Sequence, residues 1–523
     1  MPAIVTDKFR INNTNNFISS VEDNSNSYYI FLGLANPDVD LFGRDSEWET
    51  PLGGTVVPNP VDNNSYISHY KDTILFGKRV TSSNIRRVVR RVDWSRGSKY
   101  DLYRHDYSIN NLSPVTKKSR LYDANYYVIN SEYKVYICLD NGSSGSNPNG
   151  NTSQDEPTFT DLEPSKAGES GDGYIWKYLF TVNPADIVKF DSTEYITLPN
   201  SWETSTDSQI SSVRENGDSR VNTNQIKKIY IDSAGAGYTS GEVNIIGDGV
   251  GAKAFIEVNA SGSIINAIVT AGGSGYTYGL VDLGSLQPAN SIPNPARLIP
   301  IIPPSYGHGY NIYQELGADR ALLYARFDDS TRDFPSNTNF SQIGIIKNPS
   351  KFLSAETFIE NEFSSLYSIK FSTVETVQVP NPGDTIRQVL SSGFVATGYV
   401  AAYDPTTKVL KYFKDRSLYF GDGLDETDYI GISTSGNQNI EFEFDGGSVI
   451  SPETGFKGTI DSAFTGISTT VNDQIINLGS QFTKGLSNPE INNNSGDVIY
   501  IDNRPLVGRS SRQKEDVKII LEF

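Results

Sequence analysis

Apolar and polar residues alternate along most of this chain, and stretches with the three-to-four-residue apolar spacing of an amphipathic helix are scarce. The elements this pattern predicts are therefore strands. "YYIFLGL" (28–34) reads as a buried strand, and "YYVINSEYKVYICLD" (126–140) as a hairpin turning near Asn130 and Ser131. In "GESGDGYIWKYLFTV" (168–182), glycines are followed by an alternating run. Tyr174, Trp176, Tyr178 and Phe180 point to one side, and Ile175, Lys177, Leu179 and Thr181 to the other. A wholly aromatic face of this kind fills a core or seals a permanent subunit interface. Further on, "GFVATGYVAAYDPTTKVLKYF" (393–413) predicts two strands joined at Asp404, Pro405 and Thr406, and Val517, Ile519, Leu521 and Phe523 alternate at the end.

One segment carries helical spacing instead. In "SSNIRRVVRRVDW" (82–94), Ile85, Val88, Val89 and Val92 fall at i, i+3, i+4 and i+7 behind capping serines, which predicts a helix. Its other face would carry Arg86, Arg87, Arg90 and Arg91, a cationic stripe best read as facing a partner or salt-bridged, with Trp94 beside it.

The chain also repeats itself. "IKKIYIDSAGAGYT" (226–239) and "IINAIVTAGGSGYT" (264–277) align without a gap at an offset of 38 residues, which suggests paired β-units, each covering the other's exposed face. The loop "NGSSGSNPNGNTSQDEP" (141–157) is too polar to pack, and is expected to be mobile or pinned by a partner.

Composition narrows this picture. With 523 residues, 45 Gly and 25 Pro, the chain exceeds one hydrophobic core, and the fold class expected is mainly β: a multi-domain β-sandwich core with inserted small β modules, little helix and long loops. The expected partition is 1–210 for the N-terminal part of the core, 215–285 for the repeat module, 286–354 for a Pro-rich connector returning to the core, 355–490 for a second inserted β-rich domain, and 491–523 for C-terminal strands completing the core. The net charge of -18 disfavours nucleic acid and anionic membrane as partners. A single cysteine, Cys138, rules out a disulfide framework and fits folding in a reducing cytoplasm. The start shows neither the basic nor the apolar region of a signal peptide and no apolar run is long enough to span a bilayer, so a soluble protein is expected.

Reactive constellations are missing. His69, His105 and His308 have no metal-ligand spacing and read as loop or surface residues. "GESGD" (168–172) ends in Asp172 where a nucleophile elbow needs glycine, and Gly77-Lys78 is followed by Arg79 where a phosphate loop needs Ser or Thr. The acidic "GDGLDETD" (421–428) lacks EF-hand spacing. The expectation is a non-enzyme with no cofactor, no metal and no small-molecule substrate. The alternative is a carbohydrate-binding or carbohydrate-cleaving protein using aromatics such as Trp48 or Trp202 and a carboxylate pair.

Six blocks in order, "AIVTDKFR" (3–10), "RRVDW" (90–94), "VYICLD" (135–140), "GDGYIWKYLF" (171–180), "FSQIGIIKNP" (340–349) and "GDVIYIDNRPLV" (496–507), resemble the signature blocks of a baseplate wedge subunit family. The family is that of contractile-tailed bacteriophages of the T-even type, the wedge subunit that forms a dimer. The resemblance implies a structural β protein without catalysis, a homodimer bound to other baseplate wedge proteins, assembled in the host bacterial cytoplasm and carried in the virion tail. Segments 215–285 and 355–490 look like insertions that enlarge this chain over shorter family members.

Overall fold

The computed structural model describes residues 5–34, 71–216, 225–287, 294–328, 339–375, 378–393, 395–414, 442–493, 495–507 and 513–523. In chain order the strands are β1 (Tyr28–Gly33), β2 (Ile74–Val80), β3 (Ile85–Arg90), β4 (Tyr127–Ile129), β5 (Lys134–Asn141), β6 (Tyr174–Thr181) and β7 (Tyr195–Thr197). The repeat region contributes β8 (Lys228–Ser233), β9 (Gly241–Gly247), β10 (Val250–Val258), β11 (Ile264–Ser274), β12 (Gly279–Val281) and β13 (Arg297–Ile301). Then follow β14 (Arg320–Phe327), β15 (Phe340–Lys347), β16 (Glu362–Ser364), β17 (Tyr367–Glu375), β18 (Thr385–Val389), β19 (Val395–Asp404) and β20 (Val409–Phe413). The last are β21 (Ser448–Ser451), β22 (Phe456–Ile460), β23 (Gly466–Val471), β24 (Gln474–Phe482), β25 (Leu486–Ser487), β26 (Asp497–Val507) and β27 (Glu515–Glu522). The fold is mainly β, as the alternation predicts.

The chain divides into two compact units, one of residues 1–18, 86–322 and 520–523, the other of residues 19–85 and 323–519. In the first, β4, β5 and β6 form an antiparallel sheet whose hairpin turns between Ile129 and Lys134. Asn130 organises that turn by accepting the Glu132 and Lys134 amides on its Oδ1.

In the second unit, β1 is buried at every position and lies between β2 and β15, with β26 beyond β15 and β16 beyond β2. Five strands far apart in sequence thus share one sheet. Burial on both faces explains why β1 and β15 are almost continuously apolar. Tyr29 and Phe31 pack there with Ile346, Phe358 and Phe363. A second sheet runs β20-β19-β18-β21-β22-β17-β25. Its β19–β20 turn is held by Asp404, which accepts the Thr406 amide and the Thr407 hydroxyl, each at 2.8 Å.

The repeat folds as a strand-exchanged pair. β8 pairs with β13, β11 with β10, and β9 with both β10 and β12, while β8 lies along β11 and β12 along β13. Six strands run round one core of Ile226, Ile229, Val243, Ile245, Ile256, Ile264, Tyr276 and their neighbours. The duplication is visible in the bonds: the Ile226 amide donates to the Gly272 carbonyl, and its repeat equivalent Ile264 donates to Ala234, the equivalent of Gly272. Gly235, just after β8, and Gly273, near the end of β11, both take left-handed φ values, +56° and +64°, which glycine adopts without strain.

Two expectations fail here. Residues 85–90 are a strand, not a helix. Ile85, Val88 and Val89 satisfy a helical spacing, yet their β-branched side chains fit a strand buried on both faces, and tertiary contact decides. A helix also forms at Asp7–Glu22, a segment to which the pattern assigned no element; it buries Ile11, Thr14, Ile18 and Val21 on one stripe. The loop 141–157, read as too polar to pack, packs against its own chain. Asn141 and Ser153 are fully buried, Asn141 donates to the Tyr100 carbonyl, and the Tyr174 hydroxyl donates to the Asn151 carbonyl.

Candidate functional site

The aromatic face of β6 lies inside the first unit. Tyr174 and Trp176 are 0% exposed, and Tyr178 and Phe180 1%. Tyr174 and Trp176 stack at 5.3 Å, Tyr100 meets Trp176 edge-on at 5.7 Å, Tyr136 meets Tyr178 at 5.7 Å, and Phe180 meets Trp202 at 6.2 Å. These separations are those at which aromatic pairs add attraction beyond area burial. Burial pushes the Tyr174 and Tyr136 hydroxyls well above their ordinary value. The Trp176 indole N–H finds no acceptor among the described residues. The opposite face of the strand is closed as well: Leu179 is 0% exposed, and Lys177 donates its ammonium to the Leu162 carbonyl at 2.8 Å.

The glycines before β6 make a turn. Gly171 and Gly173 take φ of +70° and +85°, and Asp172 between them accepts the Gln154 and Tyr174 amides. Trp94 packs partly buried on the same core and donates its indole N–H to Ser153 Oγ at 3.0 Å. Trp202, expected as a surface aromatic, is 0% exposed and donates to the Gly309 and Tyr310 carbonyls. Trp48, His69 and the segment 421–428 lie outside the described residues.

The four arginines do not form a stripe. On β3, Arg86 forks onto Asp186 at 2.8 and 2.9 Å, Arg87 is 7% exposed and donates to Asn15 Oδ1 while lying 4.2 Å over the Tyr313 ring, and Arg90 donates to the Ala124 carbonyl and Asn125 Oδ1. Arg91 pairs with Asp93 and Asp191. Each guanidinium is committed to its own unit, so the geometry offers no basic surface at these positions.

His308 lies in a loop, as expected, but is buried there at 9% exposed; its Nδ1 lies 2.5 Å from Glu315 Oε1, and Glu315 Oε2 accepts the Gly309 amide. This buried pair fastens the loop before the short helix Ile312–Glu315.

A feature the pattern did not announce joins the repeat module to the rest of its unit. Arg104, 1% exposed, forks onto Asp106 at 2.9 and 3.0 Å and sits 4.1 Å from the Tyr230 ring of β8 and 5.1 Å from Tyr107. Burial opposes its charge, and Asp106 more than offsets this, holding the guanidinium above its ordinary value. Lys228 of β8 pairs with Asp140 at 2.5 Å, the Tyr230 hydroxyl donates to the Pro148 carbonyl, and His105 Nδ1 accepts the Ile302 amide. Desolvation holds the His105 ring below its ordinary value, so it is neutral at pH 7 and free to accept.

No cluster of three or more His, Cys, Asp or Glu able to hold a metal is present among the described residues. Cys138 is buried, and burial pushes its thiol up, away from the reactive thiolate. No helix among the described residues is long and apolar enough to cross a membrane.

No protein-family model matches the chain. The chain is 27% identical over 216 residues to "Baseplate wedge protein gp8" of Enterobacteria phage T4, a match covering 38% of this chain and 60% of that protein's length.

Proposed function

We propose that this chain is a structural component of a phage tail baseplate wedge, dimerising and connecting neighbouring wedge proteins as the baseplate assembles in the host cytoplasm. The observation that carries the reading is the similarity over 216 residues to a baseplate wedge protein. The sealed aromatic face of β6 and the four internally paired arginines support it, because they describe a rigid part and not a site that turns over substrate. On this reading the segments 215–285 and 355–490 are additions to a common core made by 1–210, the return through 286–354, and 491–523. Dimerisation would bury obligate interfaces of about 2,000 Å² or more.

Sedimentation velocity of the purified chain at micromolar concentration, alone and mixed with the other wedge proteins of the same phage, tests this. A dimer that enters a larger wedge complex is expected. A strict monomer that joins no wedge protein would contradict the proposal.

A further inference from the structure

Among the described residues, large apolar side chains stand exposed most densely between Ile246 and Leu280, within the repeat module. Register fixes where they point. β12, β9, β10 and β11 form one antiparallel sheet. Ala252, Ala254 and Ile256 of β10 are buried in the module core, so Lys253, Phe255 and Glu257, which alternate with them, point outward. Ile268 of β11 stands directly opposite Phe255, and Leu280 of β12 directly opposite Ile246 of β9. All four are open to contact: Phe255 is 38% exposed, Ile268 44%, Ile246 56% and Leu280 66%. Two apolar cross-strand pairs thus lie on the solvent face of a sheet whose other face already closes the core.

Charge says what covers this face. Outward along β10 the order is Lys253, Phe255, Glu257, a cation and an anion two positions to either side of one aromatic ring. A twofold axis through Phe255, running across the strands in the plane of contact, lays Phe255 and Ile268 each on its own counterpart. It also brings Lys253 over the second copy's Glu257, twice. Glu257 accepts the Asn266 side-chain amide at 3.3 Å and has no ion pair among the described residues. Lys253 meets Glu242 of its own sheet at 3.3 Å, but both side chains are about half exposed, and such a pair leaves the ammonium able to share a second carboxylate. The net charge of -18 opposes contact between copies elsewhere, whereas on this face the reciprocal pairs offset it.

Area agrees. Four strands about 4.8 Å apart, with about 8 residues of about 3.3 Å each, give a footprint of roughly 500 Å² per copy. Side-chain relief raises the accessible area above that flat value, toward the roughly 800 Å² per partner of a standard interface. Two sheets laid face to face in this way make an ordinary β-sandwich contact. We infer that the outer face of β12-β9-β10-β11 packs on the same face of a second copy of this chain, about a twofold axis at Phe255. The inference rests on the dimer proposed above, to which it assigns a contact face.

Sedimentation velocity of the full chain across the micromolar range tests it, with F255E, K253E, E257K, the double exchange K253E/E257K, and I475S on β24 as an exposed control outside the face. The parent is expected to dimerise. F255E, K253E and E257K should each raise the dimer dissociation constant about tenfold or more, and the double exchange should return it to within about threefold of the parent. Recovery in the double exchange excludes a lost fold as the cause, because exchanged charges cannot repair one. I475S should change nothing. A parent dimer that F255E and K253E leave intact overturns this face but not the dimer, whereas a parent that stays monomeric overturns both. Weakening by the single charge reversals without recovery in the double exchange, or equal weakening by I475S, overturns the face as well.

Discussion

Replacing Trp176 separates a sealed core from an interface or a substrate groove. A buried tryptophan removes up to about 250 Å² from water, which at about 25 cal/mol per Å² is about 6 kcal/mol for the whole side chain. Alanine keeps only the Cβ and leaves a cavity between Tyr100, Tyr174 and Cys138, so W176A is expected to cost about 3–5 kcal/mol. Phenylalanine behaves differently. It loses part of the indole area, about 1–2 kcal/mol, but removes a buried N–H without an acceptor, whose desolvation costs about 1–3 kcal/mol. W176F should therefore lie within about 1 kcal/mol of the parent. Hydrogen-exchange mass spectrometry in a urea series reads this on peptides covering β5 and β6, and avoids forcing a two-state fit on a chain with two units. Equal loss from both substitutions would refute the unpaired-indole argument. A W176A protein whose β5 and β6 peptides exchange as in the parent would refute the sealed core.

Other expectations follow from single contacts. D106N deprives the buried Arg104 of its carboxylate, and should destabilise the join to β8 by about 2–3 kcal/mol, seen as faster proteolysis and amide exchange within residues 226–302. G273A places a Cβ 2.5 Å from the Val250 carbonyl oxygen, and G235A one 2.6 Å from the Ala296 amide, both at left-handed φ, so each should lower the module's melting temperature where G171A, with open space around it, costs less. Asp248 accepts the Thr277 hydroxyl and the Thr277 and Tyr278 amides, which lower its pKa from 3.8 to about 2. A depressed folded-state pKa means that its contribution is present above pH 3.8 and is lost as pH falls through about 2. The melting-temperature gap between the parent and D248N should thus close across that window, and a gap constant with pH would contradict the assignment.

The fold was legible wherever a strand's partners lie nearby or its two faces differ. The alternation around Trp176 and the hairpin at Asn130 needed only a period of two. The repeat was legible for the same reason, although the pattern stopped at Thr239 and Thr277 while the structural duplication continues into β9 and β12, whose side chains match only in part. β3 was not legible. Its arginines are satisfied by Asp186, Asn15 and Asn125, and no local spacing announces partners that far away. The helix Asp7–Glu22 hid because its buried stripe includes Thr14 and because Asn12, Asn13, Asn15 and Asn16, weak helix formers, fill its middle. Of the residues singled out as core or interface, the structure brings Tyr174, Trp176, Tyr178, Phe180 and Trp94 to one core, and scatters the arginines' contacts over separate anchors. The clamp at Arg104 unites segments separated by more than a hundred residues, and only three dimensions reveal it.

The central claim, that this chain is a fixed part of a tail baseplate, meets its most direct test in a cryo-electron-microscopy reconstruction of the intact phage tail. The account predicts density for this chain in every wedge of the baseplate, with the face of β6 enclosed within its own unit. Density elsewhere in the particle, or none at the baseplate, would contradict it.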